Sequence, residues 1–371
     1  MTTDAIASRA AIVRQVGGPF TLEDVQVAAP REDEVRVRMV ATGMCHTDLV
    51  ARDGFPVPLP IVLGHEGAGV IESVGAGVST LQVGDHVVLS FDSCANCPSC
   101  GHDLPAYCYN FLAHNFSGVR PADGSTALSQ NGTTVHGNFF GQSSFGTYAV
   151  AHVRNTVKVD RDVALELLGP LGCGIQTGAG AVVNSLKLKK GQSLAIFGGG
   201  AVGLSALLGA RAIDAGTVIV VEPNADRGKL ALELGATHVI NPKETEDVLG
   251  KIKALSGGGV VHALDTTGIP AVIGVAVETM LPNGMLGLVA VPPPEAMLPA
   301  NMMSMLVRGV GVKYITEGDA DPQTFIPQMI AWHKAGKFPF DKLIKKFPFD
   351  QINEAAHASE TGEAIKPVLV F

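Results

Sequence analysis

The segment SLAIFGGGAVGLSALLGA, residues 193–210, decides the fold of the second half of this 371-residue chain. Gly198, Gly200 and Gly203 form the pattern G-x-G-x-x-G between a short apolar run, typical of a buried strand, and a helix-like run. Such glycines permit a tight turn and let the backbone approach a pyrophosphate, whose charge a helix N-terminus stabilises. The next apolar run, TVIVV, ends on Glu222, about 20 residues beyond the last glycine, where an acid would bind ribose hydroxyls. A glycine-rich packing turn is the alternative, but the strand, helix and acid together favour a dinucleotide site.

Three further apolar runs, THVIN, VVHALDTTG and MLGLVAV, alternate with stretches of helical character. This alternation predicts an α/β fold with a doubly wound parallel sheet. After VKYITEG, residues 312–318, we expect the chain to return to the domain that it formed first. We therefore predict a first domain over 1–174, a dinucleotide-binding domain over 175–316 and the return over 317–371.

The segment FDSCANCPSCGHDLPAYC, residues 91–108, carries four cysteines spaced C-x2-C-x2-C-x7-C. A structural zinc ion takes four thiolates or imidazoles in a closed tetrahedron, and four cysteines in one loop complete such a site alone. Prolines and a glycine in the segment favour a loop rather than a helix. Disulfides, free thiols and an iron–sulfur cluster are the alternatives, although the spacing departs from the usual iron–sulfur patterns. We predict a structural zinc site formed by Cys94, Cys97, Cys100 and Cys108.

The other two cysteines and a histidine lie in separate glycine-rich segments. ATGMCHTDL holds Cys45, VLGHEGAGVI holds His65 and LGPLGCGIQTGAG holds Cys173. If the fold brings them together, three protein ligands leave zinc a fourth position for a substrate oxygen. Each residue alone has a plainer explanation, because a cysteine among glycines is often a small buried apolar side chain. A lone histidine is often a loop residue with its hydrogen bonds satisfied, so these interpretations stay open.

Taken together, the motifs resemble those of the zinc-containing medium-chain alcohol dehydrogenases. Besides the glycine and four-cysteine segments, the chain carries GMCHTD (43–48), GHEGAGVIESVGAGV (64–78) and GCGIQTG (172–178) in this family's order. The combination is specific and covers nearly the whole chain. The resemblance implies a β-rich GroES-like catalytic domain with a Rossmann cofactor domain, and one catalytic and one structural zinc ion per chain. It implies that the catalytic zinc is held by Cys45, His65 and Cys173.

The resemblance assigns further residues around these ligands. Glu66 would be a carboxylate close to the metal, and Asp48 would accept a hydrogen bond that orients the His65 ring. Thr47 would carry away the proton of the alcohol. The best-known relatives have a histidine three residues after this threonine, where the chain has Val50. We hypothesise that the proton passes from the threonine to the cofactor ribose and then to water.

The resemblance also implies which residues contact the cofactor. A carboxylate at Glu222 would repel a 2′-phosphate, which favours NAD over NADP. Arg227 would attract that phosphate, but family members use a base at this position to contact the ribose of NAD. His46 and Lys366 match residues that contact the pyrophosphate, although a solvated surface lysine is the plainer explanation of Lys366. The predicted cofactor-binding residues are His46, Thr177, Gly198, Gly200, Val202, Gly203, Glu222, Arg227 and Lys366.

Segments such as NFFGQSSFGTYAV and FDQINEAAH resemble those of aryl-alcohol and allylic terpene-alcohol dehydrogenases, the benzyl alcohol and geraniol enzymes. This resemblance implies reversible oxidation of a primary aromatic or allylic alcohol to its aldehyde in a long apolar pocket. The alternatives are oxidation of S-(hydroxymethyl)glutathione or of a general short-chain alcohol, a zinc-free alkene reductase, and a non-catalytic NAD-binding protein. We expect two or three phenylalanines to line the pocket, from among Phe55, Phe91, Phe111, Phe116, Phe139, Phe140 and Phe145.

Charge and composition argue against other classes of protein. The formal net charge is −8 and no basic cluster accompanies the four cysteines, so nucleic acid is not an expected partner. The best candidate for a membrane span, residues 194–213, contains glycines and an arginine, so we expect no span. The N-terminal segment lacks the apolar stretch of a secretory signal, which predicts a cytoplasmic protein.

Related enzymes pair through the edge of the cofactor-domain sheet, so we expect a homodimer or homotetramer formed through LGLVAV and the segment after it.

Overall fold

The computed structural model describes residues 5–293 and 295–371. The chain forms two compact units. The first comprises Met1–Cys173, Asp321–Ile330 and Leu343–Phe371, and the second comprises Gly174–Ala320 and Ala331–Lys342. The division into functional domains at 1–174, 175–316 and 317–371 stays a prediction.

Strands dominate the first part of the chain and alternate with helices in the second. In chain order the strands are β1 (Ile6–Val13), β2 (Phe20–Val27), β3 (Glu34–Gly43), β4 (Ile61–Val62), β5 (Glu66–Val74), β6 (His86–Leu89), β7 (Leu128–Gln130), β8 (Thr133–Val135), β9 (Tyr148–His152), β10 (Thr156–Val159), β11 (Leu194–Phe197), β12 (Val218–Val221), β13 (His238–Ile240), β14 (Val260–Asp265), β15 (Met280–Leu288), β16 (Gly311–Tyr314), β17 (Ile344–Pro348) and β18 (Lys366–Val370).

The α-helices are short. They are α1 (His46–Asp53), α2 (Pro98–Gly101), α3 (Phe111–Asn115), α4 (Leu165–Leu168), α5 (Gly174–Gly180), α6 (Ala201–Ala212), α7 (Ala225–Glu233), α8 (Val248–Ser256), α9 (Pro270–Glu278), α10 (Met302–Arg308), α11 (Pro322–Lys334) and α12 (Ile352–Glu360). Over residues 5–293 and 295–371, no helix has the length and apolar character needed to cross a membrane.

The first unit contains two sheets. One has the strand order β4-β1-β2-β7-β8, and the other has the order β10-β6-β5-β3-β18-β17, with β9 also paired to β3. β3 is almost wholly buried, because β5, β9 and β18 all pair with it. An apolar core includes Ile12, Leu63, Phe139 and Phe145, and Leu63 lies two residues before His65. The segment that carries His65 therefore continues directly from the core.

The second unit is built on a parallel sheet with the order β13-β12-β11-β14-β15-β16. Numbered from β11, this is the 3-2-1-4-5-6 order of dinucleotide-binding folds. Every residue of β11 and β12 is buried, as in parallel strands that are covered on both faces. The predicted doubly wound parallel sheet is confirmed.

Two local expectations need correction. Of the region predicted as the sheet edge, LGLVAV and the segment after it, LGLVAV does not form the edge: β16 pairs with β15 on its outer side, so the edge strand is Gly311–Tyr314, in the segment after it. The four-cysteine segment is not all loop, because it contains α2 and a 3-10 turn at Pro105–Tyr107. Proline fits the first turn of a helix, where its missing N–H would have no partner, so these prolines start helical turns rather than break them.

Candidate active site

Cys45, His65 and Cys173 lie together in the first unit. Their sulfur and ring nitrogen atoms, with a carboxylate oxygen of Glu66, all lie within 4.8 Å of one another. Cys45 immediately precedes α1, His65 immediately precedes β5, and Cys173 follows a 3-10 turn over Gly169–Gly172. The fold thus gathers two thiols, an imidazole and a carboxylate from three separate segments.

Asp48 holds two of these segments together. Its Oδ1 accepts a hydrogen bond from the His65 ring at Nδ1, 2.9 Å away, and from the Gly64 N–H at 3.0 Å. Its Oδ2 accepts from the Cys45 N–H at 2.9 Å. The carboxylate is fully buried. The orienting contact expected between Asp48 and the His65 ring is therefore present in the structure.

The other ring nitrogen of His65, Nε2, is buried and has no hydrogen-bond partner among the described residues. Leaving a buried polar atom unsatisfied costs about 1–3 kcal/mol, so such an atom calls for an explanation. When Nδ1 donates a hydrogen bond to Asp48, the neutral form of the ring carries its lone pair on Nε2, which is the form that binds a metal ion. A zinc ion would take this lone pair and the sulfurs of Cys45 and Cys173, a ligand set known from catalytic zinc sites. These residues fit a catalytic zinc ion.

The thiol of Cys45 is prepared for a metal ion. A hydrogen bond with Cys173 is the largest influence that lowers its pKa, and the positive charge of Lys366 acts in the same direction. Together they hold the pKa of Cys45 well below its usual value, although burial acts to raise it. The thiolate is the form of cysteine that binds zinc.

Glu66 and Lys366 form a buried ion pair beside these groups. The Lys366 ammonium donates to both carboxylate oxygens, at 2.8 and 3.0 Å, and to the Met44 carbonyl oxygen at 3.3 Å. Burial raises the pKa of Glu66. Burial acts to lower the pKa of Lys366, but the charges of Glu66 and Cys45 raise it above its usual value. The alternative of a solvated surface lysine is wrong, and the contact of Lys366 with pyrophosphate stays a prediction.

The first turn of α1 carries the predicted proton-relay group. The Thr47 hydroxyl oxygen lies 3.8 Å from the Cys45 sulfur. His46, the first residue of the helix, is exposed. Val50 is 37% exposed and offers no proton acceptor. The roles of Thr47 in proton transfer and of His46 in cofactor binding stay predictions.

Aromatic rings cover one side of His65. Phe140 stacks on the imidazole, with ring centres 4.4 Å apart and planes 23° apart, and Phe139 meets it edge-on at 5.5 Å. Phe116 lies 5.0 Å from Phe140 and 4.9 Å from Phe55, which is 38% exposed. A continuous row of rings therefore leads from an exposed side chain to the imidazole.

The remaining phenylalanines differ in their surroundings. Phe111 contacts Phe91 at 6.0 Å and joins the row at Phe116 and Phe140. Phe145 packs against Phe20 in the core. Which of these rings line a substrate pocket stays a prediction.

The four cysteines of residues 91–108 form a second cluster, with their sulfur atoms within 4.8 Å of one another. All four are free thiols, so the structure contains no disulfide between them. Backbone N–H groups donate to the sulfurs, among them that of Tyr109 to Cys97 at 3.4 Å and that of Cys94 to Cys108 at 3.2 Å. The Tyr109 N–H is the largest cause that lowers the pKa of Cys97 to about 6. Four converging thiols fit a closed structural zinc site.

A buried polar cluster ties this cysteine segment to the rest of the unit. Asp92 accepts hydrogen bonds from His114 at 2.7 Å and from Arg154 at 2.6 Å. The Asn115 side chain donates to the Asp92 carbonyl oxygen and accepts from its N–H, both at 2.9 Å. Burial acts to raise the pKa of Asp92, but His114 and Arg154 hold it below its usual value. Sequence reasoning missed this cluster, because no local pattern links residues so far apart.

The glycine turn of the second unit lies between β11 and α6. Gly198 has φ +100°, and a Cβ there would lie 2.3 Å from the Thr266 hydroxyl. A Cβ at Gly203 would lie 1.9 Å from the carbonyl oxygen of Gly198, so only glycine lets the helix pack on the turn. Gly200 precedes α6, and a Cβ there would meet nothing within 4 Å. The open approach to a helix N-terminus fits a pyrophosphate.

Glu222, at the end of β12, reaches back to this turn. Its carboxylate accepts hydrogen bonds from the N–H of Gly199 at 2.6 Å and of Asn224 at 2.8 Å. The acid is therefore held at the edge of the glycine turn, and its contact with ribose hydroxyls stays a prediction.

The other predicted cofactor residues lie on three helices of the second unit. Val202 lies in the first turn of α6, Thr177 lies on α5, and these two helices pack together. Arg227 lies in the first turn of α7. The structure therefore brings Val202 and Thr177 to neighbouring helices, while the contacts of all three with NAD stay predictions.

Comparison with known proteins gives consistent results. The family described as zinc-binding dehydrogenase matches residues 201–334, and the alcohol dehydrogenase GroES-like domain matches residues 31–161. The chain is 59% identical over 370 residues to a geraniol dehydrogenase of Castellaniella defragrans, with 100% of this chain and 99% of that protein covered.

Two solved structures are also similar. An alcohol dehydrogenase zinc-binding domain protein from Burkholderia ambifaria has 51% identity and a TM-score of 0.97, covering 99% of this chain and 100% of that one. The benzyl alcohol dehydrogenase of Acinetobacter calcoaceticus has 46% identity and a TM-score of 0.95, covering 99% of both chains. The predicted family and fold class, a GroES-like domain with a Rossmann domain, are confirmed. The chain belongs to the zinc-binding alcohol dehydrogenases of the medium-chain family.

Proposed function

We propose that this protein oxidises a primary aromatic or allylic alcohol, of the benzyl alcohol or geraniol type, to its aldehyde with NAD, reversibly. The observation that carries the proposal is the partnerless Nε2 of His65, which lies in one cluster with the thiols of Cys45 and Cys173. The substrate class is supported by the similarity to a geraniol dehydrogenase and to a benzyl alcohol dehydrogenase. It is also supported by the row of rings beside His65, because flat conjugated molecules pack well on aromatic side chains.

The residues of the chain divide the work of the reaction. When bound, zinc acts as a Lewis acid toward an alcohol oxygen, and NAD accepts the hydride. Cys45, His65 and Cys173 would hold the metal ion, and Asp48 keeps the His65 ring in the tautomer that leaves Nε2 free to bind it. Thr47 would accept the hydroxyl proton while its own proton passes toward the cofactor ribose and then to water. Phe140 would exclude water from the side of His65 that it covers.

The most direct test is the substrate preference. We expect kcat/KM with NAD to be at least about ten-fold higher for geraniol, cinnamyl alcohol and benzyl alcohol than for ethanol, because a buried apolar contact changes selectivity by that order. Initial rates of NADH formation across these alcohols and hexanol provide the measurement. If ethanol leads, the proposed pocket is wrong and the general short-chain alternative gains support. Activity only with S-(hydroxymethyl)glutathione would support the glutathione-adduct alternative instead.

Thr47 provides a test of proton transfer. Thr47→Val keeps the shape of the side chain and removes the hydroxyl, so we expect kcat to fall by about 100-fold, the lower range for general acid–base steps. Thr47→Ser keeps the hydroxyl and should retain most of the activity. Steady-state kinetics over a range of pH values would compare the two variants. If Thr47→Val kept the kcat of the parent, another group would have to take the proton.

Glu222 provides a test of cofactor choice. Glu222→Gln removes the negative charge, so we expect kcat/KM for NAD to fall by about ten-fold and the preference for NAD over NADP to shrink further. Asp226→Asn is a matched control, because it removes an acid from the exposed first turn of α7. Equal effects of the two substitutions would mean that only the overall charge matters. The measurement is kcat/KM for both cofactors.

We also propose that the chain forms a homodimer or homotetramer through the edge of the second unit's sheet. The edge strand β16 carries Tyr314, which is exposed, and α10 exposes Met302, Leu306 and Val307. Large apolar side chains grouped on a surface are typical of a protein interface.

A further inference from the structure

The strands β5 and β6 separate next to His65. They pair as antiparallel strands with Ala68 opposite Val88, and this pairing does not continue toward the ligand. Two more residues in the same register would place Glu66 opposite Ser90. Instead, the side chain of Gln142 occupies the gap between the two strands.

Gln142 is buried, with 2% of its surface exposed. Its amide nitrogen donates to the carbonyl oxygen of His65 at 2.9 Å and to that of Ser90 at 3.1 Å. Its amide oxygen accepts from the N–H of Gly67 at 3.1 Å. One side chain therefore binds the peptide groups on both sides of Glu66 and connects them to the other strand.

Ser90 continues this connection to the third ligand segment. Its hydroxyl, fully buried, donates to the carbonyl oxygen of Gly172 at 2.6 Å. Gly172 directly precedes Cys173, and a Cβ on it would lie 2.1 Å from the carbonyl oxygen of Leu89, so the two segments approach as closely as glycine allows. The backbone at His65 is thus linked to the backbone at Cys173 through Gln142 and Ser90.

The loop that carries Gln142 also positions the His65 ring. Phe140 adopts the left-handed conformation, with φ +51°, which is unfavourable for a bulky side chain. In this conformation it stacks on the imidazole, while Gln142, two residues later, holds the backbone of the same histidine. Unfavourable backbone conformations persist where the surroundings fix them, which is common at functional sites.

We propose that Gln142, acting through Ser90, is a positioning residue that sets the separation of His65 and Cys173 and so retains the catalytic zinc ion. The inference rests on the proposed function, in which these residues and Cys45 are the zinc ligands. Asp48 binds Cys45 to His65. The Gln142–Ser90 bridge connects the backbone at His65 to the Cys173 segment from the other strand.

The experiment measures how fast zinc leaves each site of the purified enzyme. The chromogenic chelator 4-(2-pyridylazo)resorcinol reports zinc release, and alkylation by iodoacetamide, mapped by peptide mass spectrometry, reports which cysteines become free. Gln142→Leu has similar size and lacks all three hydrogen bonds. We expect it to release one zinc ion about 10- to 100-fold faster than the parent, the range for residues that support metal ligands.

The pattern of alkylation identifies the site. In Gln142→Leu we expect Cys45 and Cys173 to react faster, while the four cysteines of residues 91–108 react as in the parent. Ser90→Ala should act in the same direction, and the double variant should be less than additive, because both residues belong to one chain of hydrogen bonds. If Gln142→Leu does not fold, Ser90→Ala alone decides the outcome by the same criterion.

Asn115→Leu is the matched control. Asn115 is also a buried amide that makes hydrogen bonds to the backbone, and these go to Asp92 and Phe111 rather than to the segments of the catalytic ligands. It should lower the melting temperature without changing the release rate at Cys45 and Cys173. If Gln142→Leu and Ser90→Ala lose stability like this control and leave that rate within about two-fold of the parent, the inference is overturned. A parent enzyme with no zinc at Cys45 and Cys173 would instead overturn the proposed function.

Discussion

Replacing Cys173 by serine is expected to lower kcat by at least about a thousand-fold, because Lewis-acid stabilisation contributes several kcal/mol and each 1.36 kcal/mol changes the rate ten-fold. Cys173 is buried and supplies one of the two thiols beside the partnerless nitrogen of His65. A serine hydroxyl is a poor zinc ligand at neutral pH, so one zinc ion per chain should also be lost. Metal analysis and steady-state kinetics on one preparation would measure both quantities.

The control for this variant is a cysteine of the other cluster. Cys100→Ser should also cost one zinc ion, but the enzyme should keep much of its activity at low temperature. The reason is that Cys100 belongs to the second group of converging ligands, which does not include His65. If Cys173→Ser kept its zinc content and its rate, the assignment of the catalytic ligands would be wrong. Equal activity losses in the two variants would show that zinc acts only through stability.

The second large effect is expected on stability. Removing zinc from the four-cysteine segment, by Cys97→Ser, should lower the melting temperature by about 10 °C, because the binding energy of structural zinc contributes directly to folding. The segment has little apolar core of its own. Cys94, Cys97 and Cys100 are only half-buried, and Leu104 and Tyr109 are exposed.

Calorimetry of the parent, Cys97→Ser and Ser99→Ala would test this expectation. Ser99 lies in the same segment, and its side chain is not among the converging sulfurs, so its loss should change the melting temperature little. The hydrogen bonds of Asp92 with His114 and Arg154 would still attach the segment to the rest of the unit. We therefore expect a partial loss of stability rather than unfolding. An unchanged melting temperature in Cys97→Ser would mean that the cluster holds no structural metal.

Local patterns in the sequence predicted the features that depend on neighbouring residues. The glycine turn at Gly198–Gly203 has a strand before it, a helix after it and an acid at a fixed distance, and all of these are local signals. The four cysteines also lie in one segment. The gathering of Cys45, His65 and Cys173 required the family resemblance, because nothing in three separate segments indicates that they meet.

The supporting contacts could not be predicted for a physical reason. Gln142 lies 77 residues from His65 and 52 residues from Ser90, and a lone glutamine has no sequence feature that marks it as buried. The pairing of Glu66 with Lys366 joins residues 300 positions apart. Such contacts depend on how the strands are arranged, and sequence periodicity carries no information about that arrangement.

Alcohol oxidation by this chain should depend on zinc held by Cys45, His65 and Cys173. The most direct measurement removes zinc with a chelator, returns it in steps, and follows NAD reduction by benzyl alcohol or geraniol against zinc bound per chain. We expect activity to return in proportion to the zinc ion whose binding protects Cys45 and Cys173 from alkylation. Full activity before these two cysteines are protected would mean that they do not hold the catalytic zinc.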